Sequence, residues 1–198
     1  MGEGLSSPAA AFYFDLASPE AYLAAEQILH ALPGPAQWRG VLAAELGGAG
    51  TAPGAHSDPA WRESIARRAG ELGLQPLRWP AEFPFDSRLA MLVATYAGSI
   101  GRAVPFAQAA FRQAFAGGRS LAEENSVLIA AAACEMHPAA VLRAAAMRSV
   151  SEQLTQTTAD AAQAGVTAVP AVRLGGRVFH GEAALADASA AMLEAPAG

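Results

Sequence analysis

The stretch that decides the fold is Phe12-Tyr13-Phe14-Asp15-Leu16-Ala17-Ser18-Pro19. Its first five residues form a short apolar run, which predicts a buried strand over residues 12–16. Ser18 is a favourable N-cap and Pro19 fits the first helical turn, so we expect a helix that runs to about Ala31. A second strand is predicted at about 37–42. A strand, a helix and a second strand within roughly 30 residues indicate a βαβ unit.

The middle of the chain predicts helices only. Asp58-Pro59 is a capping pair, and Phe106, Phe111 and Phe115 lie at helical spacing. We therefore expect an all-helical insertion over about residues 58–149, with one of its helices over about 121–135. Its apolar residues are interpreted as core.

The C-terminal part predicts a helix, a hairpin and a last helix. The first helix covers about 151–164 and ends at Gly165, a residue type that favours the left-handed helix stop. A strand follows over 168–174, and Gly175-Gly176 turns the chain into a second strand over 177–180. The last helix is expected at about Ala183–Leu193. The order predicts an α/β fold in which βαβ and ββα halves enclose the insertion within one domain over residues 1–198.

Composition excludes several classes of function. The 198 residues carry a formal net charge of −5 and include only one cysteine, Cys134. An acidic chain without a long basic cluster is a poor partner for nucleic acid. No apolar run reaches the ~18 residues of a membrane span, and residues 1–10 lack the pattern of a secretory signal, so a cytoplasmic protein is expected. Cys134 is interpreted as a small buried side chain, and the four scattered histidines predict no metal site.

Three motifs together resemble one known family. Residues 12–19 resemble the "FYFD-x-x-SP" opening of the 2-hydroxychromene-2-carboxylate isomerases, and residues 83–87 (Phe-Pro-Phe-Asp-Ser) are similar to that family's "FPFNS". Residues 165–170 with 179–182 resemble its C-terminal "GVFGVP…FWGQDRL". The resemblance implies a thioredoxin-like fold related to kappa-class glutathione transferases and bacterial disulfide oxidoreductases.

Ser18 is the catalytic residue that this resemblance implies. It occupies the position of the attacking cysteine in disulfide oxidoreductases, and a serine with one distant cysteine cannot exchange disulfides. In the related isomerases, the corresponding serine hydrogen-bonds the sulfur of bound glutathione and favours its thiolate. From the residues alone, a plain N-cap is the favoured interpretation of Ser18, and the family resemblance reverses that preference.

The same resemblance implies further glutathione-binding residues. Val169 and Pro170 are expected to form a cis peptide bond that leaves the Val169 backbone free to pair with the extended tripeptide. The open alternative is a trans proline at the start of a strand. Gly181 and Glu182 are expected to hold the γ-glutamyl end, although Glu182 is also typical of a helical first turn.

Several positions depart from the family pattern. Ala183 replaces the family's aspartate, residues 51–57 lack its lysine and asparagine, and Asp86 replaces an asparagine. Asp86 is expected either to face the pocket or to cap the following helix. Glu20-Ala21 stands where relatives often have Tyr-Ser.

The resemblance implies a glutathione-dependent cis–trans isomerase of an unsaturated aromatic or polyketide-like acid. A kappa-type glutathione transferase and a non-catalytic thioredoxin-fold binding protein are the alternatives. The expected partner is a small hydrophobic or aromatic acid rather than nucleic acid or membrane. A homodimer is an implication of the resemblance, since relatives are often dimers.

Overall fold

The computed structural model describes residues 10–47 and 58–194. Its four strands form one mixed sheet in the order β2-β1-β3-β4. The strands are β1 (Ala10–Phe14), β2 (Ala36–Gly40), β3 (Ala171–Leu174) and β4 (Arg177–His180). β2 pairs in parallel with β1, whereas β3 is antiparallel to both β1 and β4. The predicted βαβ opening and C-terminal hairpin are therefore confirmed.

Eight α-helices surround the sheet within these ranges. They are α1 (Pro19–Ala31), α2 (Pro59–Glu71), α3 (Arg88–Ser99), α4 (Ala103–Phe115), α5 (Glu124–Ala132), α6 (Pro138–Ala145), α7 (Arg148–Gln163) and α8 (Ala184–Glu194). No strand lies between residues 58 and 149, all of which the structure describes, so the all-helical insertion is confirmed. Each helix of the described chain is too short or too polar to cross a lipid bilayer.

Three strands have boundaries that differ from the sequence prediction, and the smallest difference is at β2, which covers Ala36–Gly40 rather than about 37–42. β1 begins and ends two residues before the predicted 12–16, because Asp15 leaves the ladder and accepts a hydrogen bond from the Ala17 N–H in the following turn. β3 begins at Ala171 rather than 168, because Pro170 has no N–H to donate to the sheet.

Two helix boundaries also differ. α5 is shorter than the predicted 121–135, and Cys134 lies in the turn after it, where it is buried as expected. α7 begins at Arg148 instead of about 151, after a break at Met147, whose extended backbone leaves the preceding helix.

One hydrophobic core joins the insertion to the sheet. Phe12 and Phe14 of β1 are buried against the inserted helices, and the Phe14 and Phe111 rings lie 5.9 Å apart. Tyr22 of α1 stacks on Phe115 of α4 with ring centroids 5.7 Å apart. The β1 side chains that point to the other face of the sheet, such as Tyr13, pack in a smaller cluster that includes residues of α7. The core therefore fixes α1, and Ser18 at its start, against both halves of the chain.

Candidate functional site

A cavity of about 460 Å³ opens at the N-terminal end of α1. Its walls come from four segments that are distant in sequence: the β1–α1 loop, a short 3-10 turn (Ala43–Glu45) with the residue before it, the segment before α3, and the loop before β3. The residues lining it are Asp15, Ala17, Ser18, Pro19, Glu20, Leu42, Ala43, Ala44, Glu45, Pro84, Phe85, Asp86, Ser87, Arg88, Thr167, Ala168 and Val169. All three motifs of the sequence analysis contribute to these walls.

Ser18 lines the cavity and also caps α1. Its Oγ accepts a hydrogen bond from the Ala21 N–H at 3.0 Å, which satisfies one of the free amides at the helix start. The cap that the sequence predicted is therefore present, and the same side chain is half-buried in the cavity wall. The positive end of the helix dipole favours an anion at this position.

Glu20 holds the Ser18 hydroxyl from the other side. The hydroxyl donates to Glu20 Oε2 at 3.2 Å, and Glu20 Oε1 accepts a hydrogen bond from Trp61 Nε1 at 3.2 Å. Trp61 belongs to α2, so the carboxylate connects the start of α1 with the first helix of the insertion. Sequence reasoning noted Glu20 as a departure from the family pattern but did not predict this bridge.

The Val169–Pro170 peptide bond is cis, as predicted. Val169 lies in the cavity wall, and no described residue donates to its carbonyl or accepts from its N–H. The Pro170 carbonyl accepts a hydrogen bond from the Gly181 N–H at 3.0 Å, which joins this loop to the turn before α8. Val169 therefore presents a free peptide edge to the cavity, while Pro170 and Gly181 support it.

Glu182 lies outside the cavity lining. Its Oε1 is 2.9 Å from Arg68 Nε of α2, and the Glu182 side chain remains 69% exposed. Arg68 is largely covered, at 19% exposure of its side chain. The structure thus pairs Glu182 with a cation of the protein, and the predicted contact with a ligand ammonium would require this ion pair to open. The missing lysine was assigned to residues 51–57, which lie outside the described residues.

Asp86 satisfies both of the alternatives that the sequence left open, facing the pocket and capping the following helix. Its Oδ1 accepts a hydrogen bond from the Arg88 N–H at 2.8 Å and so caps α3, and the residue also lines the cavity. Arg88 approaches Glu45 across the cavity wall at 3.6 Å, with about half of each side chain exposed. Pro84, in the same wall, follows a second cis peptide bond, Phe83–Pro84, which was not predicted.

Asp15 is a buried acid that sequence reasoning missed. Its Oδ1 accepts from the Ala17 N–H and its Oδ2 from the Ala43 N–H, each at 2.9 Å. These bonds tie the Ser18 loop to the opposite wall of the cavity. Burial raises the pKa of the Asp15 carboxyl above its ordinary value, and the hydrogen bonds from Ala17, Ala43 and Ser87 only partly oppose this. The sequence signal that could have identified Asp15 is its place as an acidic residue directly after the residues of the buried strand β1.

Replacing Asp15 with asparagine is expected to destabilise the fold by about 1–3 kcal/mol, because an amide nitrogen would face one of the two N–H donors. The raised pKa means that the folded state binds this proton more tightly than the unfolded state does. Wild-type stability should therefore rise relative to Asp15→Asn as the pH falls from neutrality through the raised pKa of Asp15. Urea unfolding of both proteins at several pH values measures this. A wild-type advantage that shrinks on acidification would contradict the assigned direction.

No cluster of three or more potential metal ligands occurs in residues 10–47 and 58–194. The cavity instead combines a hydroxyl at a helix start, a free peptide edge and several carboxylates. A free peptide edge is the kind of group that pairs with an extended peptide as an added strand.

The order of strands and helices defines a thioredoxin-like fold with a helical insertion, and Ser18 lies at the start of α1 in the cavity wall. Residues 10–192 match the model of the DsbA-like thioredoxin domain, and the chain belongs to that family.

Solved structures give the same fold at low identity. A 2-hydroxychromene-2-carboxylate isomerase structure matches with a TM-score of 0.78 and 20% identity over 92% of this chain and 93% of the other. A probable DsbA oxidoreductase from Streptomyces coelicolor has a TM-score of 0.78 and 18% identity, covering 94% and 89%. The cytosolic disulfide reductase DsbM from Pseudomonas aeruginosa, solved with GSH, has a TM-score of 0.64 and 18% identity, covering 94% and 97%. No curated protein sequence matches this chain.

Proposed function

We propose that the protein is a glutathione-dependent cis–trans isomerase of an unsaturated aromatic or polyketide-like acid. The observation that carries the proposal is the position of Ser18 and the free Val169 backbone in one cavity. A hydroxyl at a helix start favours a thiolate, and a free peptide edge pairs with an extended peptide. Both features fit the cysteinyl part of glutathione.

Each residue has a defined part in this proposal. Ser18 would hold the sulfur, and the Val169 N–H and C=O would pair with the cysteinyl backbone. Glutathione held by these residues would supply a thiolate for reversible addition to a conjugated carbon, which is the chemistry that allows rotation about the former double bond. Asp15 keeps the Ser18 loop in position through its two backbone hydrogen bonds.

The substrate side of the cavity is partly apolar, with Leu42 and Phe85 in its walls. Arg88 is the only cation among the described lining residues. Its ion pair with Glu45 is long, at 3.6 Å, and half-exposed, so it would cost little to exchange for a substrate carboxylate. An unsaturated acid therefore fits the lining better than a polyanion does.

Two of the similar structures support the choice of cofactor and reaction. One of them is a 2-hydroxychromene-2-carboxylate isomerase. The other is the disulfide reductase DsbM, whose structure was solved with GSH. The single cysteine of this chain, buried in the turn after α5, leaves thiol chemistry to a bound thiol.

Ser18→Ala is the variant that tests this proposal. We expect it to raise the pKa of the bound glutathione thiol and to reduce turnover of 2-hydroxychromene-2-carboxylate by about 10²–10³-fold, the usual cost of one donor to a developing anion. Binding should weaken far less, because the backbone contacts at Val169 remain. The measurements are thiolate absorbance of the bound cofactor and steady-state kinetics. Equal losses in turnover and binding, or no loss, would leave Ser18 as a helix cap only.

Product analysis in the same assay separates the alternatives. An isomerase returns free glutathione, whereas a kappa-type transferase consumes it in a conjugate. One observation favours a non-catalytic binding protein, namely the engagement of the Ser18 hydroxyl by Glu20. Saturable glutathione binding without turnover of any conjugated acid would support that alternative.

A further inference from the structure

The Ser18 hydroxyl has one hydrogen, and that hydrogen is already in use. Oγ accepts from the Ala21 N–H at 3.0 Å and donates to Glu20 Oε2 at 3.2 Å. A hydroxyl has one donor and two acceptor sites, so it cannot donate to a sulfur while it donates to the carboxylate. Any thiol placed at Ser18 must compete with Glu20 for this hydrogen.

Glu20 is fixed in its position by a contact outside the cavity. Its second oxygen, Oε1, accepts a hydrogen bond from the Trp61 indole at 3.2 Å. Since Trp61 lies 41 residues away on α2, the carboxylate is held between two helices and loses a bond if it turns away from Ser18. A carboxylate that remains beside a bound thiol disfavours the thiolate, because like charges repel.

The other charged groups around the cavity do not cancel this effect. Asp15, Glu45 and Asp86 line the same walls and are acidic, while Arg88 faces Glu45 at 3.6 Å. The helix dipole of α1 acts in the opposite direction, in favour of a thiolate.

The charged groups of α2 near Trp61 have partners of their own. Arg62 lies over the Trp79 ring at 4.9 Å, and Arg68 is paired with Glu182 at 2.9 Å. Each of these two cations therefore has a contact of its own within the described chain.

We infer that Glu20 makes the thiol bound at Ser18 harder to ionise, by competing with that thiol for the Ser18 hydrogen and by its negative charge. The inference rests on the proposed function and concerns the same site. Glu20 acts here as a positioning residue, since it works through Ser18. If Glu20 has this effect, the rate of thiol addition rises with pH until the bound thiol is fully ionised.

The first test compares wild type with Glu20→Gln and Glu45→Gln, titrating the thiolate absorbance of bound glutathione against pH. We expect Glu20→Gln to lower the pKa of the bound thiol by about one unit, the size of shift that a neighbouring charge produces. Glu45→Gln removes a carboxylate from the same cavity without affecting the Ser18 hydrogen bonds. It should therefore shift the pKa of the bound thiol by less than Glu20→Gln does. Equal shifts in the two variants would overturn the assignment to Glu20, and no shift in either would do the same.

A second test separates competition for the hydrogen from simple charge repulsion. In the Ser18→Ala background there is no hydrogen to compete for, so Glu20→Gln should lower the thiol pKa by less than it does in wild type. An identical shift in both backgrounds would overturn the competition. Trp61→Phe provides an independent variant, because it frees Glu20 to turn away and should move the pKa in the same direction.

The outcomes distinguish this inference from the proposed function. A wild-type protein that binds no glutathione at any pH overturns both. A wild-type protein that binds glutathione with a thiol pKa unaffected by Glu20→Gln overturns the role of Glu20 alone. Thermal unfolding of each variant verifies that the folded protein is being titrated.

Discussion

Phe111→Ala is expected to lower the free energy of unfolding by about 3–5 kcal/mol, the usual cost of emptying a buried phenylalanine site. Phe111 is fully buried in α4, and its ring lies 5.9 Å from Phe14 of β1 and 6.1 Å from Tyr22 of α1. The ring therefore joins the inserted helices to the sheet. Because one core is shared by the sheet and the inserted helices, the variant should unfold in a single cooperative transition. Its midpoint should lie at a lower denaturant concentration than that of wild type.

Leu193→Ala is the matched control for this variant. Leu193 is a large apolar residue of α8 that is 73% exposed, so its truncation should change stability by less than about 0.5 kcal/mol. Denaturant unfolding followed by far-ultraviolet circular dichroism and by tryptophan fluorescence measures both variants. Two separate transitions in Phe111→Ala, or a loss below about 1 kcal/mol, would contradict a shared core.

Ala183→Asp is expected to tighten glutathione binding by about tenfold to a hundredfold. The variant places in the exposed turn before α8 the acid that the isomerase resemblance implies for this position. A charge-assisted hydrogen bond to the γ-glutamyl ammonium contributes about 1.5–3 kcal/mol, and each 1.4 kcal/mol is a factor of ten. The wild-type Glu182 carboxylate does not fill this role freely, because it is paired with Arg68 at 2.9 Å.

Two companion variants make this result specific. Ala183→Asn has the same size without the charge and should give a much smaller gain at fixed salt. Arg68→Gln releases Glu182 from its ion pair and should tighten binding in the wild-type background, if Glu182 reaches the ammonium. Binding unchanged by Ala183→Asp would show that another group already holds the γ-glutamyl end.

The sequence predicted those features that depend on neighbouring residues. The Ser18 cap, the Gly175-Gly176 hairpin and the helical character of residues 58–149 all follow from local patterns, and each is present. The cis bond at Pro170 followed from family resemblance rather than from local chemistry. β1 differs from its predicted bounds because Asp15 forms hydrogen bonds that no periodicity encodes.

The contacts that define the site were not predictable in this way. Asp15 meets Ala43 across 28 residues, and Glu20 meets Trp61 across 41. Outside the cavity lining, Glu182 near the C-terminal helix forms an ion pair with Arg68 of α2, which lies much earlier in the sequence. Such pairs depend on how α2 and the short turn after β2 pack against α1, which is a property of the tertiary structure. Local patterns therefore predicted Ser18 as the cap of α1 but not the hydrogen bond from its hydroxyl to Glu20.

The wild-type calorimetric titration with glutathione tests the central claim most directly. The account predicts saturable binding of one glutathione per chain, with an affinity that Ala183→Asp improves. It also predicts that binding of S-methylglutathione, which has no ionisable thiol, does not depend on Glu20. The absence of any binding heat from the folded protein at millimolar glutathione, in wild type and Ala183→Asp alike, would contradict the account.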